Sequence, residues 1–325
     1  MAPATQPTHS SAVAMRPAHI ALAVMVAVIW GVSFSVSKVG LESFTPPQLT
    51  ALRFLVAAVA AIWLPRPRIP WVALLFIGLT IFTGQFLLQF FGIANGMPAG
   101  LTAVVVQTQA LLTVVLTAFV LAERPTRRQM TGMAVALVGL VAIGSSLSGN
   151  VPAVGFMFTL ASAVSWAIGN VLIKRLPKVQ MVHLMVWASL VPPLPALALS
   201  MAQDGPFAIW TALARAPWQG IAAPIFLGIF ASVLAYAAWG SLLQRYSAGD
   251  VAPFALLAPV VGAITSALVF GETFSSTRLV GMACMLVGVA IVAIPIDRLA
   301  RILEMGKGER QRANEAGASS ARPTK

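Results

Sequence analysis

The side chains in this sequence that could do chemistry are neutral amides and aromatic rings set in apolar surroundings: Trp30, Gln85, Gln89, Gln107, Gln109, Trp166, Asn170, Tyr236 and Trp239, with Ser33 among them. An enzyme would need a different set. With three histidines and one cysteine, the sequence offers no metal-spaced cluster, and it has no paired carboxylates, no nucleophile beside a base and no phosphate loop. Neither catalysis nor a cofactor is expected. What these residues can do is bind. An indole face attracts an ammonium group by ~1–2 kcal/mol when desolvated, while amides and free N–H groups at a broken helix suit a carboxylate. That combination favours a zwitterion over an anion such as a sugar nucleotide.

Spacing narrows the choice. Gln85 and Gln89 are four apart and share one helix face, whereas Gln107 and Gln109 would sit about 200° apart on a continuous helix, so at most one faces a given cavity squarely. Four amides in neighbouring apolar segments cost too much to turn toward lipid, so they point inward, at each other or at a solute. Arg53 falls about five residues, or ~8 Å, into its segment. From there it can snorkel to the outer face, or act as a gate or solute contact. Lys38 and Lys174 end their segments, where a cation suits the helix dipole, and join Arg53 as gating or topology residues. No Asp or Glu lies at mid-depth: Glu42, Glu123, Asp250 and Glu272 all sit at segment ends. A deep carboxylate relay, the common proton-coupling device, is therefore absent.

The elements that must position these residues are membrane helices. Of 325 residues 58% are hydrophobic and 9% charged, and the mean hydropathy is +0.88, values that need lipid as solvent. Apolar stretches long enough to cross a ~30 Å hydrocarbon core fall near 19–37, 48–64, 71–92, 100–122, 129–147, 153–173, 182–201, 220–243, 251–271 and 278–296. The fold class is thus an all-α membrane protein of ten transmembrane helices. The first stretch lacks a convincing cleavage site and should stay in the protein. The net charge of +12 sorts by loop parity, which makes it a topology signal and no sign of nucleic acid. With the N-terminus inside, seventeen basic residues face the cytoplasm and three (Lys38, Arg215, Arg278) face out, with Arg53 within a span. Both termini are expected to be cytoplasmic. Cys284 lies mid-span and reads as packing.

Two offsets betray a repeat. At 136, Ala27, Val28, Trp30 and Lys38 match Ala163, Val164, Trp166 and Lys174; at 149, residues 99–143 match 248–292 at twelve positions, including Glu123 with Glu272 and three glycine pairs. Five spans per half is an odd number, so the second half enters from the opposite side. Two inverted five-helix repeats are the signature of alternating-access carriers, with a site near the midplane between the halves. The expected segments are a cytoplasmic stretch 1–18, repeats 19–147 and 148–296, and a disordered basic cytoplasmic tail 297–325. Gly132 and Gly139, with Gly281 and Gly288, put small-residue stripes on the fifth and tenth spans, for packing together or for a homodimer contact. Pro253 and Pro259 in the ninth span, and Pro98 and Gly100 before the fourth, mark those two as hinge or site helices.

Several of these residues carry a family resemblance. Trp30-Gly31 with Lys38, Leu52-Arg53-Phe54, the run from Gly96 to Leu101, Glu123-Arg124, and Ser165-Trp166-Ala167 with Asn170 and Lys174 resemble the EamA family of the drug/metabolite transporter superfamily, over residues 18 to 296. Within it, the segment through Gln107, Gln109 and Ala110 and the stretch ending Trp239-Gly240 are similar to exporters of O-acetylserine and cysteine. The resemblance implies a cavity lined mainly by spans 1, 3, 4, 6, 8 and 9, and export of cysteine-pathway amino acids across the inner membrane. Its partners would be the bilayer and a small solute. Two other readings stay open: export of other amino acids, drugs or another small solute, and a non-transporting anchor or subunit.

Overall fold

The structure, a computed structural model, describes residues 15–146, 152–177, 179–246 and 248–293. The expected tail 297–325 and most of the expected N-terminal segment 1–18 lie outside the described residues.

Within them the chain is helical, without strands. Nine helices are long and apolar enough to cross a membrane: α1 (Pro17–Leu41), α3 (Trp71–Ala94), α4 (Ala99–Val120), α5 (Arg127–Ser145), α6 (Ala153–Lys174), α7 (Met181–Asp204), α8 (Trp218–Arg245), α9 (Asp250–Phe270) and α10 (Ser276–Ala293). A shorter apolar helix, α2 (Pro46–Ile62), occupies the place of the second expected span. Its last turn tightens to a 3₁₀ helix over Val59–Ile62. Prolines at the first turns of α1 and α2 need no backbone donor there. Thr45 with Gln48, and Thr126 with Gln129, close capping boxes that fix where α2 and α5 begin.

Five helices are irregular along their length, α7 among them, interrupted between Ala188 and Pro193. Both α3 and α8 widen to π-helix, over Gly78–Gly84 and Leu227–Leu234. In each a hydroxyl follows the wide turn, Thr83 Oγ1 donating to Gly78 O at 3.2 Å and Ser232 Oγ to Leu227 O at 2.9 Å. Like α7, α4 and α9 are broken, α4 between Val105 and Thr108 and α9 at Leu256.

Packing pairs α1 with α8 and α9, α6 with α3 and α4, α2 with α7 and α8, and α3 with α7; α4 also meets α9. The broadest contact joins α5 to α10. There the glycine stripes face each other inside the chain: a Cβ on Gly139 would lie 2.5 Å from Gly281 O and 2.6 Å from Met285 N. The outer faces of this pair, Leu137 and Val138 on one helix and Val280 and Val287 on the other, are exposed. Trp63, Trp71 and Trp218, at helix ends, are exposed as well, as belt aromatics should be.

Candidate functional site

Where the irregular turns meet lies a cavity of about 170 Å³, lined by Trp30, Ser33, Phe34, Arg53, Gln85, Phe86, Gln89, Val106, Gln107, Gln109, Trp166, Ala231, Tyr236, Ala255 and Ala258. This volume is below the ~300–1,000 Å³ of drug-sized sites and equals the share of about six waters. A small solute fits. A wider depression of about 990 Å³ between residues 41–48 and 204–217 is open to solvent. Of the two carboxylates lining it, Glu42 and Asp204, the second is already engaged by Thr45 and Ser200 at 2.8 and 3.0 Å.

α3 and α4 place their amides by local irregularities, whereas α1, α2 and α6 supply Trp30, Arg53 and Trp166 from regular helix. In α3 the π-turn ends at Gly84, so Gln85, Phe86 and Gln89 emerge together; Gln85 Nε2 donates to Gln89 Oε1 at 2.9 Å, and Gln85 Oε1 is left buried without a partner. The break in α4 changes the expected geometry of the next pair. Because the helix stops and restarts around Gln107, Gln107 and Gln109 both line the cavity, contrary to the 200° separation of an unbroken helix. Gln109 Oε1 is likewise buried and unpartnered. Trp30 donates its indole N–H to Ala231 O at 3.1 Å and stands against Tyr236 and Trp239, with ring centroids 5.6 and 5.1 Å away.

Arg53 departs most from expectation. It does not snorkel: with 2% exposure it lines the cavity, its Nε donating to Ser232 Oγ at 3.2 Å and its guanidinium 3.8 Å from the Phe86 ring centroid. The π-turn of α8 sets Ser232 there, so the wide turn on one helix anchors the cation of another. A buried unpaired ion costs several kcal/mol. One hydrogen bond from a charged donor, about 1.5–3 kcal/mol, and a desolvated cation–π contact, about 2 kcal/mol, offset part of that. No carboxylate shares the cavity.

Not every expected residue converges. Trp30, Gln85, Gln89, Gln107, Gln109, Trp166 and Tyr236 line the cavity, whereas Trp239 stands behind Trp30 and Asn170 turns aside to donate to Thr113 Oγ1 at 3.1 Å. Sequence reasoning missed Ser232, Phe34 and Phe86. The first could have been found from its match to Thr83 at the 149 offset.

Lys38 and Lys174 do more than cap helices. Lys38 Nζ binds Glu272 Oε1 at 2.8 Å over the Phe270 ring, and Glu272 also accepts from the backbone N–H groups of Ala99 and Gly100 at 3.0 and 3.2 Å. One carboxylate thus ties the ends of α1 and α9 to the start of α4. Burial alone would raise the Glu272 pKa, but the Lys38 ammonium and the Gly100 N–H outweigh it and hold the carboxyl below its ordinary value. Lys174 pairs with Glu123 in the same way between α6 and α4, at a place where both side chains are about half exposed, against 9% for Glu272. The residue before each carboxylate has a left-handed backbone, Gly271 with φ 63° and Ala122 with φ 53°.

Comparison with known proteins gives the following. The model of the EamA-like transporter family matches residues 18–145 and 153–294. A probable amino-acid metabolite efflux pump of Salmonella typhimurium is 41% identical over 290 residues, 86% of this chain and 97% of that relative. A protein of the same description from Escherichia coli K12 is 39% identical, covering 83% and 93%. A probable terminal-alkyne amino-acid exporter of Streptantibioticus cattleyicolor is 27% identical, covering 83% and 91%. One solved structure, described only as a crystal structure of a protein, aligns with a TM-score of 0.57 at 18% identity over 86% of this chain and 98% of its own, a likeness of fold.

Proposed function

The chain belongs to the EamA-like transporter family, a multi-pass membrane transporter and no enzyme, and from that premise we propose that it exports cysteine-pathway amino acids, O-acetylserine or cysteine first, across the inner membrane. Two relatives described as probable amino-acid metabolite efflux pumps, near 40% identity and matched over almost their whole length, support export of small metabolites. The observation that carries the reading is the cavity itself: small, and walled by amides, aromatic rings and one guanidinium. A zwitterion suits it and crosses without working against the membrane potential, ~2.3 kcal/mol per charge per 100 mV. A tenfold excess inside supplies ~1.4 kcal/mol, so an overflow valve needs no coupling carboxylate.

Alternating access between two inverted five-helix repeats is the proposed mechanism. Exchanging each helix for the one five places on turns the pairs α1–α9, α1–α8 and α2–α8 into α6–α4, α6–α3 and α7–α3, all of which are packed. The same exchange turns Lys38–Glu272 into Lys174–Glu123. Trp30, Gln85, Gln89, Gln107, Gln109, Trp166 and Tyr236 then contact the solute in turn, and the two lysine pairs act at the two mouths. Both termini are cytoplasmic in this scheme, on the parity of basic loops.

Cells overproducing the protein should release more O-acetylserine and cysteine and tolerate inhibitory thiol amino-acid analogues. Inside-out vesicles should take up the same labelled compounds. If neither release nor uptake responds while a dye or sugar does, the amino-acid reading fails.

A further inference from the structure

Of the residues lining the cavity Arg53 alone is charged. Its Nε is committed to Ser232 and its plane lies against Phe86, so the guanidinium is held in place. Its two terminal amino groups have no protein acceptor among the described residues. That free edge presents two parallel N–H donors, the geometry that matches a carboxylate bidentately. On the same wall two buried amide oxygens, Gln85 Oε1 and Gln109 Oε1, lack a donor. An orphaned acceptor is satisfied by an ammonium group.

Resting on the exporter reading above, we propose that Arg53 is the carboxylate anchor of the transported solute and that Gln85 and Gln109 receive its ammonium group. The substrate class is then the free α-amino acid, to the exclusion of its esters, of decarboxylated amines and of N-acylated derivatives. An ester leaves the guanidinium unpaired; an N-acylated acid leaves the amide oxygens without their cation. A site built around buried polar partners discriminates strongly against analogues that lack them.

The test uses the full chain in detergent, where Trp30 and Trp166 in the cavity wall report binding by fluorescence. The probes are L-cysteine, L-cysteine methyl ester and N-acetyl-L-cysteine. L-Cysteine should bind at least about tenfold more tightly than either derivative. Arg53→Gln should abolish the preference for acid over ester while keeping affinity for the ester, and Arg53→Lys, a point charge without the fork, should keep part of it. Equal binding of acid and ester by the unaltered chain, or no binding of the acid at millimolar concentration, overturns the proposal whether or not the variants fold. The same probes in proteoliposomes separate the two readings. Binding of acid over ester without movement of either overturns the exporter and leaves the anchor; equal movement of both overturns the anchor and leaves the exporter.

Discussion

Adding one methyl group to the glycine seam between α5 and α10 should cost far more than the same change five residues away. At Gly139 a Cβ meets Gly281 O at 2.5 Å, Met285 N at 2.6 Å and Cys284 Cβ at 3.0 Å. Two of these are backbone atoms in a helix, which cannot rotate away, so the helices must separate along their length. Overpacking of this kind costs ~1–3 kcal/mol, against which the better helix propensity of alanine returns ~0.5–1 kcal/mol. Gly144, on the same helix, is the internal control, because a Cβ there finds only Phe156 Cζ at 4.0 Å. Gly144→Ala gains the propensity and loses nothing. Thermal unfolding of the purified variants in one detergent should therefore put Gly139→Ala about 2 °C or more below the parent and Gly144→Ala at or above it. Equal melting of the two variants would refute the claim that close backbone approach holds this pair together.

Four further outcomes follow from the cavity and the lysine–glutamate pairs. Glu272→Gln should destabilise by about 1.5–3 kcal/mol, the worth of hydrogen bonds to a charged group, whereas Glu123→Gln, in a half-exposed pair, should change stability by under about 1 kcal/mol; equal shifts in melting contradict the assignment. Because the folded-state pKa of Glu272 is depressed, its contribution is present above the ordinary carboxylate value, about 4.3, and is lost as pH falls through the lower folded value. Melting of the parent between pH 6 and 3, compared with Glu272→Gln, should show this acid-side loss in the parent alone. Ala122→Gly should stabilise by ~1 kcal/mol, since a left-handed backbone penalises a Cβ; lower melting denies the strain. Single replacements of Trp30, Trp166 and Gln109 should each lower initial transport rates at unchanged membrane abundance, and three intact rates would make these residues packing.

Much of the fold was legible because lipid imposes a length and a composition that a sequence cannot hide. The boundaries of α1 and α3 to α10 lie within a few residues of the apolar stretches, and the short α2 is also the stretch that carries Gln48, Thr50 and Arg53. The prolines and glycines near the fourth and ninth spans pointed to irregular helices, and both are broken. The place of each break was not legible: Ala103 to Val106 has no breaker, and Gln107 gained its inward view only from the interruption. Nor were the π-turns, whose Leu79, Ile81 and Phe82 read as ordinary apolar helix. For Arg53 the choice between snorkelling and an inward contact was not legible, because depth along a helix says nothing about the direction in which a side chain leaves it. The lysine–glutamate pairs were present in the two offsets, 136 and 149, as separate coincidences. Only the packing joined them.

The wide turn of α3 separates the length of the chain from the aim of its side chains. A π-turn holds one residue more than the α-helical turn it replaces, its hydrogen bonds spanning five residues instead of four. Deleting a single residue between Gly78 and Gly84 would let the helix relax to regular geometry with its two flanks still in phase, whereas in a helix without such a turn the same deletion would swing everything after it by about 100° relative to everything before. Gln85, Phe86 and Gln89 would keep their places at the cavity, and Arg53 the ring beside it. An apolar surplus residue far from any charge is thus taken up without turning the binding surface.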